Sequence, residues 1–418
     1  MMDSATLDEV LRDTCPQQAI AAACVLEDGR TSEAVVGPAA ATAPTFALGS
    51  VTKVLTATMV AQLVAAGSLS FDDPVVAHVP EAAVLGARAS EITVRMLLCH
   101  SGGLADAWQR YDGFDELLAA VRESGATGAP GETHSYANSG YVVLGRLIEQ
   151  VTGSSWDQQV RDRILGPVGA TRATFEPAPS FAPDLVSDGH GGLRSGEMWP
   201  RVGKLYEAAG STLHGTARDA ALLALACATG RTAEGRELLP AELAAELRSC
   251  QITLPGRSLR VSGWGLGWAL SRSGRQAVEH IGGTSVLVFA EPGNDRAAAV
   301  VTNYPQGERA GRAVVHTMLG TPEPAPPTGP GPSDPERYAG HYLSANFAFD
   351  IRVEDGTLTS SNPLGGSERI ALRHQEGDAF WADFDDVRTE VCFFDMAGRT
   401  PRRMHAALRV LHREAEAK

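Results

Sequence analysis

The sequence predicts an α/β fold of the α+β kind, with one sheet assembled from both ends of a large domain and helices inserted between its strands. Strand patterns occur near the start of the chain and again near residue 300, and most helical patterns lie between them. A proline-rich stretch then precedes a run of short alternating segments. These observations divide the chain into a domain at 1–320, a spacer at 321–335 and a small β-rich domain at 336–418.

The first domain begins with an amphipathic helix within Met1–Cys15, followed by a β-hairpin. The hairpin strands, 19–26 and 33–37, flank Asp28-Gly29, a dipeptide typical of tight turns. Apolar residues at helical spacing then predict a longer helix over Ser50–Ala66.

Further elements complete this domain. Helical patterns recur, and the last of them opens with Thr216-Ala-Arg-Asp219, a capping signature. These helices are expected at Val94–Leu98, Phe114–Glu123, Gly140–Val151 and Ala217–Ala228. Two strands and a final helix are expected at Ser285–Ala290, Ala297–Thr302 and about 307–319.

The C-terminal part has a different composition. Seven prolines in the spacer prevent it from packing a core and favour a semi-rigid connection. After it, Tyr338–Val410 contains short alternating runs separated by glycine turns, which predict a barrel or a sandwich.

Composition and charge exclude several kinds of partner. The net charge of −14 argues against nucleic acids and anionic membranes, because both attract basic patches. No apolar run approaches the ~18 residues that a membrane span needs. The start carries Asp3, Glu9 and Asp13 instead of a basic segment followed by an apolar one, so we expect a mature domain and a cytoplasmic location.

Neither a metal nor a cofactor is predicted. The six cysteines show no C-x-x-C pair, and several lie in apolar segments, so we expect buried free thiols. Lysine is more informative, since it occurs only at Lys53, Lys204 and Lys418 among 36 basic residues. A position that must lose its proton cannot be arginine, whereas a surface charge can. We interpret Lys204 and Lys418 as solvated charges.

Ser50-Val-Thr-Lys53 begins the predicted long helix. A spacing of three residues puts the serine hydroxyl and the lysine amine on one face, and the free N–H groups of a helix start suit an oxyanion. Lysine is a base only when neutral, so its pKa of ~10.4 must fall by roughly three units for action near pH 7. The motif predicts a nucleophile and its base; the alternative is an N-cap serine followed by a solvated lysine.

Tyr136-Ala-Asn138 lies on a short loop before the helix at Gly140. The tyrosine can shuttle a proton if a nearby cation lowers its pKa, and the asparagine can hold an acyl amide or orient the lysine. The alternative is an N-cap asparagine beside a packing tyrosine.

His280-Ile-Gly-Gly-Thr284 leads into an apolar strand. Gly282 and Gly283 let a substrate backbone lie close to the strand edge, and the N–H of Gly283 is a candidate second oxyanion donor. The alternative is a structural histidine at a strand end.

The three clusters together resemble those of the serine β-lactamase and penicillin-binding protein superfamily, in the branch around class C β-lactamases, D-aminopeptidases and related esterases. The likeness covers about residues 5–320 in the family's order and includes Phe46–Lys53, Leu69–Pro74, Ile92–Leu104, Tyr136–Tyr141 and Trp264–Trp268. It implies an antiparallel sheet with helices on its faces and a helical subdomain. The C-terminal segment resembles the small lipocalin-like barrel that some members append.

The resemblance implies a role for each residue of the first two clusters. Ser50 would be the acylated nucleophile and Lys53 its base. Tyr136 would relay the proton to the leaving group, and Asn138 would contact both substrate and Lys53.

The third cluster departs from the β-lactamase pattern. His280 takes the place of a lysine, as in esterases, D-amino-acid peptidases and acyl transferases of the superfamily, which lowers the expected β-lactamase activity. The backbone N–H groups of Gly282-Gly283 and Ser50 would bind the oxyanion. His100 is expected to be structural.

The leading functional hypothesis is an intracellular transacylase, or a peptide-releasing and cyclising thioesterase of natural-product biosynthesis. It rests on the likeness around Ser50 and on the appended β domain. The expected partners are a small-molecule or peptidyl acyl donor, free or bound to a carrier protein, and an amine or water as acceptor. The runner-up is a carboxylesterase, amidase or D-aminopeptidase-type hydrolase, and the alternative of another class is a sensor that is acylated once.

Overall fold

The computed structural model describes residues 2–38, 44–178, 180–188, 192–198, 202–256, 258–274, 276–283, 285–325, 327–361, 369–384 and 387–415. Its helices are α1 (Ser4–Thr14), α2 (Thr52–Ala65), α3 (Val94–Leu98), α4 (Phe114–Glu123), α5 (Asn138–Thr152), α6 (Trp156–Val160), α7 (Gly166–Val168), α8 (Ala217–Thr229), α9 (Ala241–Leu247) and α10 (Gly307–Leu319). None of these described helices is both long and apolar enough to cross a bilayer.

The strands fall into two large sheets and two short pairs. They are β1 (Ala21–Glu27), β2 (Arg30–Val36), β3 (Phe46–Ala47), β4 (Leu185–Ser187), β5 (Leu193–Ser195), β6 (His214–Gly215), β7 (Val261–Trp264), β8 (Ala269–Ser271), β9 (Val278–Gly282), β10 (Val286–Glu291), β11 (Arg296–Thr302), β12 (Gly340–Leu343), β13 (Ala348–Glu354), β14 (Thr357–Ser361), β15 (Arg369–Ala371), β16 (Arg373–Glu376), β17 (Ala379–Phe384), β18 (Val387–Ala397), β19 (Thr400–Ala406) and β20 (Arg409–Arg413).

A seven-stranded antiparallel sheet has the strand order β2-β1-β11-β10-β9-β8-β7. Strand β1 pairs with β11, and Ala23 lies opposite Val300. The predicted sheet from both ends of the first domain is therefore confirmed.

Both faces of this sheet are covered by helices. Along β10, Leu287 and Phe289 pack against α1 and α10 on one face. Val286 and Val288 point to the other face, where they join the larger core that contains α2, α5 and α8. Side chains of successive residues alternate between faces, so each residue of β9 also belongs to one of these two environments.

Helix α2 lies almost entirely inside the larger core. Eleven of its fourteen residues are buried, including Lys53 and three threonines. A helix without a solvent face desolvates whatever charge it carries. The fold therefore forces Lys53 into an apolar environment.

A nine-stranded antiparallel sheet forms the C-terminal part, in the order β15-β14-β13-β12-β20-β19-β18-β17-β16. Its edge strands, β15 and β16, are separated by Leu372 alone, so the sheet is nearly closed. Aromatic side chains such as Tyr338, Phe349, Phe380 and Phe393 fill the interior. The expected barrel-like arrangement of strands at the C-terminal end is confirmed.

The proline-rich segment, which precedes the second sheet in the chain, packs against that sheet. The Gly329 N–H donates to the His374 carbonyl at 2.8 Å, and the Trp381 indole donates to the Pro327 carbonyl at 3.2 Å. These contacts attach the segment to β16 and β17, while Pro326 lies outside the described residues. The proposed division of the chain at 320 and 336 stays a prediction.

Candidate active site

Ser50 lies in a single 3₁₀ turn, Gly49–Val51, that leads directly into α2. Gly49 has a φ of 53°, and a Cβ there would lie 3.2 Å from the Cα of Gly282, so the turn packs tightly against the end of β9. Ser50 is partly exposed, which leaves its hydroxyl accessible to a substrate.

Lys53 is completely buried one turn later. Its Nζ lies 3.0 Å from Ser50 Oγ, 2.6 Å from Asn138 Oδ1 and 2.5 Å from the carbonyl oxygen of Ala209. Burial lowers the pKa of Lys53 well below its ordinary value; Asp106 opposes this shift and Arg409 adds to it. The surroundings thus favour the uncharged amine, and Lys53 is not the solvated side chain of the alternative interpretation.

Tyr136 faces the same amine. Lys53 Nζ lies 5.0 Å from the centre of its ring, and the ring of His100 stacks on it at 4.1 Å. Burial raises the pKa of Tyr136, while a hydrogen bond with Ser50 and the charge of Arg409 oppose the rise. A proton shuttle by Tyr136 was predicted on the condition that a nearby cation lowers this pKa. Burial outweighs the cation, so the resting phenol keeps its proton.

Asn138 is the first residue of α5, and its side chain does not cap that helix. Its Oδ1 accepts from Lys53, and its Nδ2 donates to Asp106 Oδ1 at 3.0 Å. The backbone N–H of Asn138 also donates to Asp106 Oδ1, at 2.8 Å. The asparagine therefore connects Lys53 to a buried carboxylate, in contrast to the N-cap alternative.

His280 lies on β9, on the face of the sheet that carries Ser50. Its Nδ1 lies 3.0 Å from the Ile281 carbonyl oxygen, which makes Nδ1 the protonated nitrogen. Nε2 is buried without a partner among the described residues. Burial, with a contribution from Lys53, lowers the pKa of His280 to about 3. The ring is neutral and presents an unused acceptor.

The glycines after His280 lie beside the serine turn. A Cβ on Gly49 would lie 3.5 Å from the backbone nitrogen of Gly283, and a Cβ on Gly282 would clash with the Leu48 carbonyl oxygen at 2.2 Å. Only glycine fits at such a separation. Thr284, the last residue of the motif, lies outside the described residues.

His100 supports the tyrosine. Its Nδ1 accepts from the Ala137 N–H at 3.2 Å, and its ring lies between Tyr136 and Tyr141. Burial, with contributions from His134 and Lys53, lowers the pKa of His100 well below its ordinary value. A neutral packing role matches the structural interpretation of this residue.

Sequence reasoning missed two residues, Asp106 and Arg409. The guanidinium of Arg409 donates to Asp106 Oδ2 through Nε at 2.8 Å and through a terminal nitrogen at 2.6 Å. They are 303 residues apart in sequence, so no spacing could indicate the pair. The signal available in the sequence was a single aspartate among the apolar residues of Leu104–Ala107.

A cavity of about 460 Å³ opens on the other side of this ion pair. It lies between the 124–127 loop and the nine-stranded sheet, and its lining includes Asp106, Arg409 and His412. Ser50, Lys53 and His280 do not line it, so it is distinct from the space above the serine hydroxyl.

Within the part of the chain that the structure describes, no three His, Cys, Asp or Glu side chains are grouped so as to hold a metal ion. The six cysteines are unpaired; Cys24, Cys99 and Cys227 are buried as expected, whereas Cys250 is exposed. Lys204 is 70% exposed, and Lys418 lies outside the described residues.

The chain is similar to known proteins over most of its length. A family model described as Beta-lactamase matches residues 16–320. Penicillin-binding protein 4 of Amycolatopsis lactamdurans is 32% identical over 332 residues, which span 73% of this chain and 86% of that protein. The teichoic acid D-alanine hydrolase of Staphylococcus aureus (strain MRSA252) is 26% identical over 138 residues, spanning 32% of this chain and 34% of that protein.

Among solved structures, SurE is similar over 98% of both chains, with 25% identity and a TM-score of 0.74. A structure of SurE with D-Leu matches over the same share at the same identity, with a TM-score of 0.70. The similarity to SurE includes the C-terminal sheet, whereas the family model ends at residue 320.

Proposed function

The chain belongs to the Beta-lactamase family and is an enzyme of the serine hydrolase and acyltransferase type, and we propose that it transfers an acyl group from an ester or thioester donor to an amine through Ser50. Lys53 is the base, Tyr136 the proton donor to the leaving group, and Asn138 and His280 contact the substrate. The backbone N–H groups of Ser50 and Gly283 bind the oxyanion, with Gly282 allowing close approach.

One observation carries this proposal: the three partners of the Lys53 amine. A neutral amine has two N–H groups and one lone pair. The carbonyl oxygens of Asn138 and Ala209 can only accept, so they take both N–H groups. The lone pair is left for Ser50, whose hydroxyl must then donate. This is the hydrogen-bond direction that a nucleophile needs.

In the acylation step, Ser50 Oγ bonds to the acyl carbon while its proton passes to Lys53. The carbon–oxygen or carbon–sulfur bond to the leaving group then breaks. Tyr136 gives its proton to the leaving group and regains one from Lys53. Because burial raises the pKa of Tyr136, the phenol keeps its proton at rest and has one to give.

In the second step, an acceptor attacks the acyl-enzyme and loses a proton through the same groups. An amine yields an amide, and water yields an acid.

The donor is proposed to be a small-molecule or peptidyl thioester or ester, free or carried by a protein, and intramolecular attack would cyclise it. The complex of SurE with D-Leu supports a D-configured residue on one of the two substrates. A role in natural-product biosynthesis, and an intracellular location, stay predictions.

The test is intact-mass spectrometry of the full chain with a panel of peptidyl N-acetylcysteamine thioesters and matching esters. An adduct that maps to Ser50 and is absent from Ser50→Ala is the expected result. Product analysis with and without an added amine then separates amide formation from hydrolysis. No adduct at Ser50 with any donor would refute the proposal.

A hydrolase is the second candidate, supported by the partial match to a D-alanine hydrolase. It would convert donors to acids at every amine concentration, as expected of a carboxylesterase, amidase or D-aminopeptidase. One equivalent of product followed by no turnover would instead indicate a sensor.

A further inference from the structure

The β19–β20 hairpin of the nine-stranded sheet reaches the groups around Lys53. Its two turn residues, Ala407 and Leu408, have φ angles of 48° and 65°, which non-glycine residues rarely adopt. The Leu408 carbonyl oxygen accepts from the Tyr136 N–H at 2.8 Å, and the Val410 N–H donates to Ser135 Oγ at 3.2 Å. Backbone strain at this tip is thus held in place by contacts with the loop that carries Tyr136.

Arg409 follows this turn and is nearly buried. Its guanidinium donates twice to Asp106 Oδ2 and lies 5.0 Å from the centres of the Tyr136 and Phe347 rings. The side chain of Asp106 is 4% exposed, so these donors offset much of the cost of burying the carboxylate.

Asp106 in turn decides which way the Asn138 amide points. A carboxylate only accepts hydrogen bonds, so it holds the Nδ2 group of Asn138, at 3.0 and 3.2 Å from its two oxygens. The amide oxygen is thereby directed to Lys53. A rotated amide would place a donor against the Lys53 N–H groups and remove one of their two acceptors.

We propose that Arg409 is a positioning residue that acts through Asp106 and Asn138 to keep the Lys53 lone pair directed at Ser50. The inference rests on the proposed function of Ser50 and Lys53 and deepens it. The C-terminal sheet then supplies a working part of the site, because the chain of contacts runs from its hairpin to the serine.

A second arginine of the C-terminal sheet shows what a merely structural contact looks like. Arg403, on β19, binds Glu132 of the first part of the chain as well as Asp395 of its own sheet. Neither carboxylate contacts Asn138 or Lys53. Arg403 is therefore the matched control for a role that consists only of holding the C-terminal sheet against the loop that contains Glu132.

Charges around Lys53 predict opposite effects for the two partners. Arg409 lowers the pKa of Lys53 and Asp106 raises it, although both act less than burial. The other titratable groups facing the amine from the elements packed around it are Tyr136, Tyr141, His100 and His280. The 204–209 turn contacts the Lys53 amine through the Ala209 carbonyl oxygen. The titratable groups of this turn, Lys204 and Glu207, form an ion pair with each other at 3.9 Å.

The experiment is NMR titration of the full chain with ¹³C-labelled lysine, since the sequence contains three lysines and Lys53→Arg assigns one signal. Arg409→Gln should raise the titration midpoint of Lys53 by about one pH unit, and Asp106→Asn should lower it by a similar amount. Arg409→Lys, which restores the charge, should recover most of the shift. Arg403→Gln should leave the midpoint unchanged.

Kinetics gives the second readout. With an activated ester, the acid limb of kcat/KM should move with the Lys53 midpoint, so Arg409→Gln should lose about tenfold at a pH on that limb. Equal Lys53 midpoints for Arg409→Gln and the natural chain would overturn the inference. If Arg409→Gln does not fold, the Lys53 midpoint of Asp106→Asn is the test, and an unchanged midpoint there would overturn the inference. Failure to acylate Ser50 would refute the proposed function instead, while the titration would still decide on Arg409.

Discussion

Strand β9 separates two regions in which a buried basic side chain meets very different neighbours. Glu279 points to the face covered by α10, where the buried guanidinium of Arg312 lies 2.9 Å from it and 3.0 Å from Glu308. His280, the next residue, points to the opposite face and to Lys53. Burial alone would lower the pKa of Arg312, but the two carboxylates reverse the direction and raise it.

The two regions show that neighbours, and not burial alone, decide whether a cation keeps its charge. Arg312 is held by carboxylates, whereas the direct partners of Lys53 are an amide, a carbonyl and a hydroxyl. Neutral oxygens do not repay the desolvation of an ammonium group. One face of the sheet therefore stabilises the fold with charge, and the other presents a base.

The largest expected effect comes from making the two regions alike. Lys53→Arg installs a cation that cannot lose its proton, so the rate of Ser50 acylation should fall by about three to four orders of magnitude. The rate is measured by stopped flow with an activated ester. Lys204→Arg, at an exposed position, is the control and should keep the full rate. Full activity of Lys53→Arg would mean that the serine proton leaves by another route.

Removing Arg312 from the face covered by α10 should lower the stability of the fold and leave the acylation chemistry intact. Arg312→Met leaves Glu279 buried without its cation and Glu308 with Arg260 alone, and should cost about 3–5 kcal/mol in the free energy of unfolding. Urea denaturation measures this cost, and the acylation rate of the folded fraction should change little.

The pH dependence gives this prediction a sign. Burial would raise the pKa of Glu308, but Arg260 and Arg312 bring it below its ordinary value of 4.5. The stability from this group is present above pH 4.5 and is lost as the pH falls through the lowered value. The difference between Arg312→Met and the natural chain should therefore shrink in acid. A difference in unfolding free energy that stays constant with pH would contradict a stabilising ion pair between Glu308 and Arg312.

Lys53 should carry a linkage of the same sign in a more alkaline pH window. Its pKa in the folded chain lies well below 10.5, so between the two values the unfolded chain binds more protons and stability rises with pH. Relative to Lys53→Met, the natural chain should gain up to about 1.4 kcal/mol per pH unit in that window. Urea denaturation from pH 7 to 9.5 tests this, and parallel curves for the two proteins would show that Lys53 is charged.

The smallest effect is expected where a cation is exposed. Arg88 pairs with Glu91 at 2.7 Å, but both side chains are more than half exposed. Water screens such a pair, so Arg88→Gln should leave the urea midpoint and the acylation rate unchanged within error. A clear loss of stability would show that the contrast between buried and exposed pairs is smaller than proposed.

The parts of the site that lie close together in sequence were predictable. The spacing of Ser50 and Lys53 works because three residues make nearly one helical turn, and the scarcity of lysine marked the second of them. The sheet was predictable because its strands alternate and are bounded by turns, as at Asp28-Gly29. The helix boundaries were close, although α5 begins at Asn138, two residues before the predicted start.

The remainder depended on contacts between distant segments. Nothing in the alternating runs of the C-terminal sheet distinguishes Arg409 from the other arginines, because its role comes from the loop that it meets. The protonation of Tyr136 depends on total burial, which one sequence does not give. The proline-rich segment was predicted as a spacer, yet its contacts with His374 and Trp381 attach it to the sheet.

The separation of Asp106 and Arg409 along the chain also determines how long the ribosome takes to synthesise the second partner after the first. A ribosome adds roughly 5–20 residues per second, so the 303 residues between the partners take roughly 15–60 s to synthesise. During that interval the nascent chain holds Ser50 and Lys53 but has no guanidinium for Asp106. The ion pair can close only after translation of the hairpin, which delays completion of the site until nearly all of these residues have left the ribosome.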